Sequence, residues 1–325
     1  DTGMDARNPG RDIQLLSRPT GAHVDIGAHE YRENTAGVRY VVPGGTGDGK
    51  TTWAAAMGSI QAAIDDLALW ISLGYLDTGE VWVKQGTYSS SALNPVVTMK
   101  ENIHLYGGFS GTEMLRDARN AAANVTIISG DSNGDGTGDR LCVKGANGST
   151  LDGFTITKGY ASGGGMYVDN VSPTIANCTF TQNTNASYGA LTIMGGSPTI
   201  THCLFSQNSG LTMSGGGIYA KEASPTVSDC VFSENTVASG GGIYLESANL
   251  TASGCTFTKN NTSSGGGITC DNVAATTITN CAFAENIAAN NGGGMYVDPD
   301  SAPTIMQCRF TGNTAVKGGG IYHGG

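Results

Sequence analysis

Residues 226–244 read TVSDCVFSENTVASGGGIY, and the reading of this stretch decides the fold. Its centre is Cys-x-Phe-x-x-Asn, from Cys230 to Asn235. The same form recurs from Cys178, Cys203, Cys255, Cys281 and Cys308. Successive cysteines are separated by 25, 27, 25, 26 and 27 residues. A period in the twenties is the signature of a solenoid, in which each repeat buries its apolar face only by stacking on its neighbours.

The register within the repeat assigns side chains to faces. Alternate residues of a strand point the same way, so Cys230 and Phe232 share a face and Val231 opposes them. Working outward, a threonine column runs through Thr174, Thr199, Thr226, Thr251, Thr277 and Thr304, and a buried amide column through Asn183, Asn208, Asn235, Asn260, Asn286 and Asn313. A glycine run precedes an apolar position at Met166, Leu191, Ile218, Ile243, Ile268, Met295 and Ile321. Gly triplets, β-branched residues and an apolar spacing of two oppose helix. The pattern predicts an all-β fold: a right-handed, single-stranded parallel β-helix with three strands per coil. About ten coils, each rising by about 4.8 Å, give a rod on the order of 50 Å. The asparagines are expected to form a coil-to-coil ladder inside a turn.

Upstream, Val38–Val42 reads as a strand and residues 59–73 as an α-helix with Ile60, Ile64, Leu67 and Ile71 on one face. Such a helix would cap the open end of the solenoid. Three regions follow: 1–34, a tail segment; 35–110, the N-terminal cap and first irregular coils; and 111–325, the regular repeats.

Composition narrows the partners. Glycine supplies 50 of 325 residues, charged residues are 14%, and the net charge is −10. An acidic surface argues against nucleic acid and anionic membrane surfaces. No apolar run approaches the roughly 18 residues of a membrane span. The polar start at Asp1 predicts a mature or cropped product rather than one beginning with a signal peptide. Six of the eight cysteines sit once per repeat, so they are expected to be buried free thiols rather than a disulfide framework. Stacked strands would bring neighbours within disulfide distance, but the parallel direction of the side chains disfavours bridging. No Cys-x-x-Cys pair suggests zinc.

Residues 44–51, GGTGDGKT, match the phosphate-binding loop formally and follow a strand, but no α/β sheet accompanies them, and a structural loop is expected. Residues 131–139, DSNGDGTGD, resemble a calcium loop: Asp131, Asn133, Asp135 and Asp139 could donate side chains and Thr137 its carbonyl, although Cys142 occupies the place of the bidentate glutamate. Catalysis on glycans would need clustered carboxylates in a groove. Asp169, Asp298 and Asp300 lie in similar turns without partners, Lys158, Lys221, Lys259 and Lys317 are scattered, and the five histidines do not cluster. The expectation is therefore a protein that is not an enzyme. The outward positions around the phenylalanine column are too irregular for an ice-binding face.

The FxxN and GGGI elements resemble the repeats of polymorphic outer-membrane-type surface proteins. More broadly, residues 38–325 resemble bacterial pectate-lyase-like β-helix repeat proteins, through the Gly-Asp-Gly loop, LYGGF (Leu105–Phe109) and GFTIT (Gly153–Thr157). The resemblance implies a scaffold onto which many functions are grafted. In such proteins a segment like VDIGAHEY (Val24–Tyr31) looks like the close of a module, whereas here it comes first. These features lead to the expectation of an extracellular or cell-surface structural protein assembling head to tail into a filament, residues 1–31 completing the open C-terminal coil of a neighbour. The alternatives are a carbohydrate-binding or polysaccharide-degrading β-helix, with surface glycans as partners, and a piece of a giant tandem-module adhesin.

Overall fold

The computed structural model describes residues 37–325, apart from 51, 93, 161–162 and 185–187. They form a parallel β-solenoid with three long sheets of ten, nine and nine strands. We name the sheets by their marker residues. The threonine sheet runs from Val38–Val41 through Gly79–Lys84 to Thr304–Met306. The phenylalanine sheet runs from Gly86–Tyr88 to Arg309–Thr311, and the tyrosine sheet from Val97–Thr98 to Ile321–His323. All three strand types of the sequence reading are present. A fourth sheet of four strands was not anticipated: Ser209–Ser214, Thr236–Ser239, Asn261–Ser264 and Ile287–Asn291. It occupies the arc between the asparagine and the glycine run, where TVAS, NTSS and IAANN lack the apolar alternation that marks a buried strand.

Register is strict where the repeat is strict. Phe180, Phe205, Phe232, Phe257, Phe283 and Phe310 pair directly across successive strands. Their rings stack with centroids 4.6–4.9 Å apart and planes within 9° of parallel. The coil rise sets this spacing, so the rings adopt a stack that isolated aromatic pairs reach only when offset. Six of the cysteines precede the stacked phenylalanines by two residues, and Cys142 and Cys270 lie at the tyrosine sheet; all eight are free, and all but the half-buried Cys308 are buried. Chain reversal between the threonine and phenylalanine sheets takes one left-handed residue per coil, among them Asn177, His202 and Asp229 with φ near 50°. Asn and Asp tolerate this region better than most residues with a Cβ.

In three successive runs the last glycine is required by contact rather than by φ, whereas Ala190 stands at that position one coil earlier. A Cβ at Gly217, Gly242 or Gly267 would lie 2.4–2.5 Å from the Phe232, Phe257 or Phe283 ring. The glycine run is thus the groove into which the phenylalanine of the next coil fits.

The helix, α1 (Ile60–Ser72), starts at Ser59, whose Oγ accepts from the Ala62 N–H at 3.2 Å. Ile60, Ala63, Ile64 and Leu67 are buried against the first strands and join the core that runs through the coils. Ile71, expected on the same face, is only partly buried. Arg39, 1% exposed, donates to Asp66 of α1 at 2.5 Å and ties the helix to the first strand. The N-terminal end of the solenoid is therefore closed by α1. No helix among the described residues is long and apolar enough to cross a membrane.

Candidate functional site

Two features stand out from the uniform coil: a groove near the N-terminal third and the surface left by the last coil.

The groove arises because the chain between Phe109 and Thr126 leaves the solenoid and returns. The excursion is held by Glu113, whose carboxylate accepts the N–H groups of Ser110, Gly111 and Thr112 at 2.7, 3.0 and 3.0 Å. Burial opposes the charge on Glu113, yet these amide donors hold its carboxyl down to about 2. The indole of Trp53 donates to the Glu113 carbonyl at 2.9 Å. Arg116 and Arg119 then return along the sheet, their guanidinium carbons 5.0 and 5.3 Å from the centre of the Tyr106 ring. Arg116 pairs with Glu80 at 3.0 Å and Arg119 with Asp152 at 2.7 Å. Between this wall and the corner of the coils lies an open groove of about 560 Å³, whose polar lining includes Arg119, Asp152, Asn177, Thr179 and His202. Asn177 donates to Asp152 at 2.9 Å, and His202 faces Asp229 at 4.0 Å.

Asp152 is therefore already engaged by an arginine and an amide. The groove offers hydrogen-bonding groups to a polar ligand rather than a free pair of carboxylates. Asn177, His202 and Asp229 occupy one repeat position, immediately before the cysteine. Arg119 lies in an irregular excursion, where no periodicity marks it.

The other sequence candidates resolve as follows. In the 131–139 loop the donors turn inward to the backbone. Asp131 accepts Gly134 N and Gly136 N at 2.7 and 2.9 Å, and Asn133 accepts Asp135 N at 3.0 Å. Asp135 accepts Thr137 N and Oγ1 at 2.8 and 2.6 Å, and these bonds lower its pKa. Asp139 accepts the Ser132 hydroxyl at 2.5 Å. Among the described residues no group of three or more His, Cys, Asp and Glu side chains comes together as a metal site. The loop thus closes on itself through its own carboxylates.

The phosphate-loop match is part of a turn. Gly45 N, Gly47 N and Gly49 N donate to Val42, Ala56 and Ala55 carbonyls at 3.1, 3.0 and 2.7 Å, leaving those amides no phosphate to cradle. Asp169 ends its strand, whereas Asp298 accepts from Asn272 N several coils away. The lysines are also apart: Lys158 reaches the Gly136 carbonyl, Lys221 pairs with Glu246, and Lys259 lies 4.0 Å from Glu285. His104 contacts Thr150 Oγ1 at 3.0 Å and does not meet His202 in the groove. Residues 1–31, with His23 and His29, lie outside the described residues.

At the opposite end of the solenoid, the last coil leaves its core side chains uncovered. Ile278, Phe283 and Met295 are 0% exposed, whereas the next residues of the same columns are not closed over: Ile305 and Phe310 are partly buried and Ile321 is 41% exposed. Thr304–Met306, Arg309–Thr311 and Ile321–His323 each form the terminal strand of their sheet.

Comparison with known proteins bears on the scaffold. No curated protein matches this chain. Among solved structures, the pectin methylesterase of Aspergillus niger is similar at 17% identity, covering 89% of this chain and 90% of its own, with a TM-score of 0.42. The family described as "Right handed beta helix region" matches residues 82–220 and 209–325, which is most of the chain and all of its regular coils. The stacked parallel coils and that match together place the protein in the right-handed β-helix family.

Proposed function

We propose that the protein is an extracellular or cell-surface structural element that assembles head to tail, residues 1–31 of one unit completing the open C-terminal coil of another. One observation carries the reading: the coils stack in strict parallel register, each phenylalanine and each asparagine meeting its equivalent in the next, so a further coil of the same spacing adds without a break. A sheet edge with an apolar surface beside it is a template for pairing with further strands. The N-terminal end is already covered by α1, so the two ends differ, and a contact between unlike ends propagates as a filament. The same contacts made within one chain would produce a rod of tandem modules. Electron microscopy and sedimentation of the purified protein test the reading. Rods longer than a single solenoid, lengthening with concentration, are expected; a monodisperse single rod at high concentration would sink it.

A second reading has one specific observation in its favour. The groove lined by Arg119, Asp152, Asn177 and His202 groups donors and acceptors suited to sugar hydroxyls or a uronate carboxylate. Binding of acidic and neutral oligosaccharides, followed by the chemical shifts of His202, tests it. Unchanged His202 resonances at millimolar oligosaccharide would remove the groove from consideration.

A further inference from the structure

The six cysteines that precede the stacked phenylalanines form a column of their own. The residue after each cysteine donates its N–H to the carbonyl of the cysteine one coil earlier: Leu204, Val231, Thr256, Ala282 and Arg309 reach Cys178, Cys203, Cys230, Cys255 and Cys281, all at 2.9 Å. Cys178, Cys203, Cys230, Cys255, Cys281 and Cys308 therefore stand in parallel register, one coil apart. The phenylalanine rings two residues along give that spacing as 4.6–4.9 Å. Neighbouring thiols touch. Hydrogen bonds with the thiols of Cys178 and Cys230 on either side, ahead of burial, hold Cys203 up, and Cys255 holds Cys281 up in the same way.

A buried cysteine packs as a small apolar residue, and one or two in a core call for nothing more. Six in direct succession form a continuous file of sulfur, and its spacing selects among the chemistries open to thiols. A disulfide needs Cβ atoms about 3.5–4.5 Å apart and sulfurs turned toward each other. In-register side chains keep the full coil spacing and point the same way, and all eight cysteines are free. Structural zinc takes four ligands, whereas each gap in the column has two thiols, and among the described residues no three His, Cys, Asp or Glu side chains meet as a metal site. A closed-shell monovalent ion such as Cu(I) or Ag(I) is satisfied by two collinear thiolates, and soft thiolates select such ions. With metal–sulfur bonds of about 2.3 Å, two in line span about 4.6 Å, which fits the gap from one coil to the next.

The surroundings suit an exchange of protons for ions. Cys203, Cys230, Cys255, Cys281 and Cys308 each donate to the carbonyl two residues earlier at 3.1–3.4 Å, so an ion beside the sulfur meets the negative ends of carbonyl dipoles. The Cys203 N–H donates to Cys230 Sγ at 3.4 Å, a bond that favours the thiolate. Charge also balances. Six thiols enclose five gaps; five monovalent ions displace five protons and the sixth sulfur keeps its own, so the filled column is neutral, as an interior that penalises unpaired charge requires.

We propose that the cysteine column is a binding site for soft monovalent metal ions, Cu(I) or Ag(I), held in single file with one ion between the sulfurs of each pair of neighbouring coils. Cys178, Cys203, Cys230, Cys255 and Cys281 are buried, so each ion is captured during folding, as one coil closes on the coil before it. Cys142 and Cys270, at the tyrosine sheet, take no part.

Silver nitrate is the probe. The whole chain, reduced and unfolded in urea, is refolded with excess silver in chloride-free buffer and dialysed against methionine, a thioether that strips weakly held silver. Circular dichroism checks the fold, and native mass spectrometry counts the ions. Five per chain are expected. Cys230→Ala removes two gaps and should leave three ions, Cys178→Ala removes one and should leave four, and Cys270→Ala should keep five. If Cys230→Ala does not fold, the difference between Cys178→Ala and Cys270→Ala carries the test. X-ray absorption should find two sulfur neighbours for each silver and no silver–silver contact. A wild-type count other than five, equal counts in any two of the three variants, or the short silver–silver distance of a thiolate cluster overturns the proposal.

Discussion

Asn208 donates twice to a single atom: its backbone N–H and its side-chain amide both reach Asn235 Oδ1 at 3.0 Å. The arrangement is buried on every side, so one side chain satisfies two donors of the neighbouring coil that water cannot reach.

Removing a rung should therefore cost more than one hydrogen bond. Asn235→Ala strands both donors of Asn208 and is expected to destabilise the protein by about 3 kcal/mol, since an unpaired buried polar group costs roughly 1–3 kcal/mol. Asn313→Ala, at the half-open end, should cost much less. Urea unfolding of the two variants checks the difference, and equal losses would contradict the ladder's role.

The glycine run and the phenylalanine stack should fail together from either side. Phe257→Ala is expected to cost about 3–5 kcal/mol through the cavity it leaves. Gly242→Ala places a methyl group 2.4 Å from the Phe257 ring and should cost about 1–3 kcal/mol by overpacking. In the double variant the methyl group has room, so the losses should be less than additive. Additive losses would mean that the two residues do not share one contact.

Thiol reactivity reports the state of the column. Cys178, Cys203, Cys230, Cys255 and Cys281 are buried, out of reach of a reagent, and outside the column burial pushes Cys142 and Cys270 up to about 12. With Ellman's reagent the native protein should show fast reaction only at the half-buried Cys308, and all eight thiols after denaturation. Rapid native reaction of several thiols would refute the sealed column. Protection of Cys308 on raising the concentration would accompany end-to-end contact.

The excursion that walls the groove should loosen in acid. Glu113 is held down to about 2, below its ordinary value near 4.5, so its contribution is complete above about 4.5 and is lost as pH falls through about 2. The protection of the Gly111 and Thr112 amides, relative to their intrinsic exchange at each pH, should fall across that window. In Glu113→Gln it should already be low at neutral pH. Wild-type protection unchanged at pH 2 would rule out the carboxylate clamp.

Calcium should have little effect on the 131–139 loop. Its Asp131, Asp135 and Asp139 carboxylates are satisfied by backbone amides and hydroxyls, so millimolar calcium is expected to leave the melting temperature unchanged. A rise in melting temperature that disappears in Asp135→Ala would establish the site.

The periodic part of the molecule was legible because each inward column carries one residue type. Cys, Phe and Asn recur in register, and their stacking follows from the strand rise alone. The fourth sheet was not legible, since Thr236–Ser239 and Asn261–Ser264 alternate little between apolar and polar residues and pair through their backbones. The groove was hidden for a different reason. Asp152, Asn177 and His202 are spaced like any other repeat position, but Arg119 reaches them from an excursion that belongs to no repeat. In the 131–139 loop the oxygens of the calcium pattern accept from neighbouring amides and hydroxyls, an arrangement that residue spacing alone does not show.

The contact between the last glycine of a run and the ring beyond it has a consequence for how such a chain can change. The interval of nine from threonine through phenylalanine to asparagine is kept in every regular coil, while that from asparagine to the apolar residue after the glycines varies from eight to ten. An added residue in the constant arc would swing every following side chain to the opposite face. In the variable arc it only enlarges a bulge that faces outward. Inheritance can therefore write new surface into one side of the rod indefinitely without disturbing the pitch at which its coils are counted.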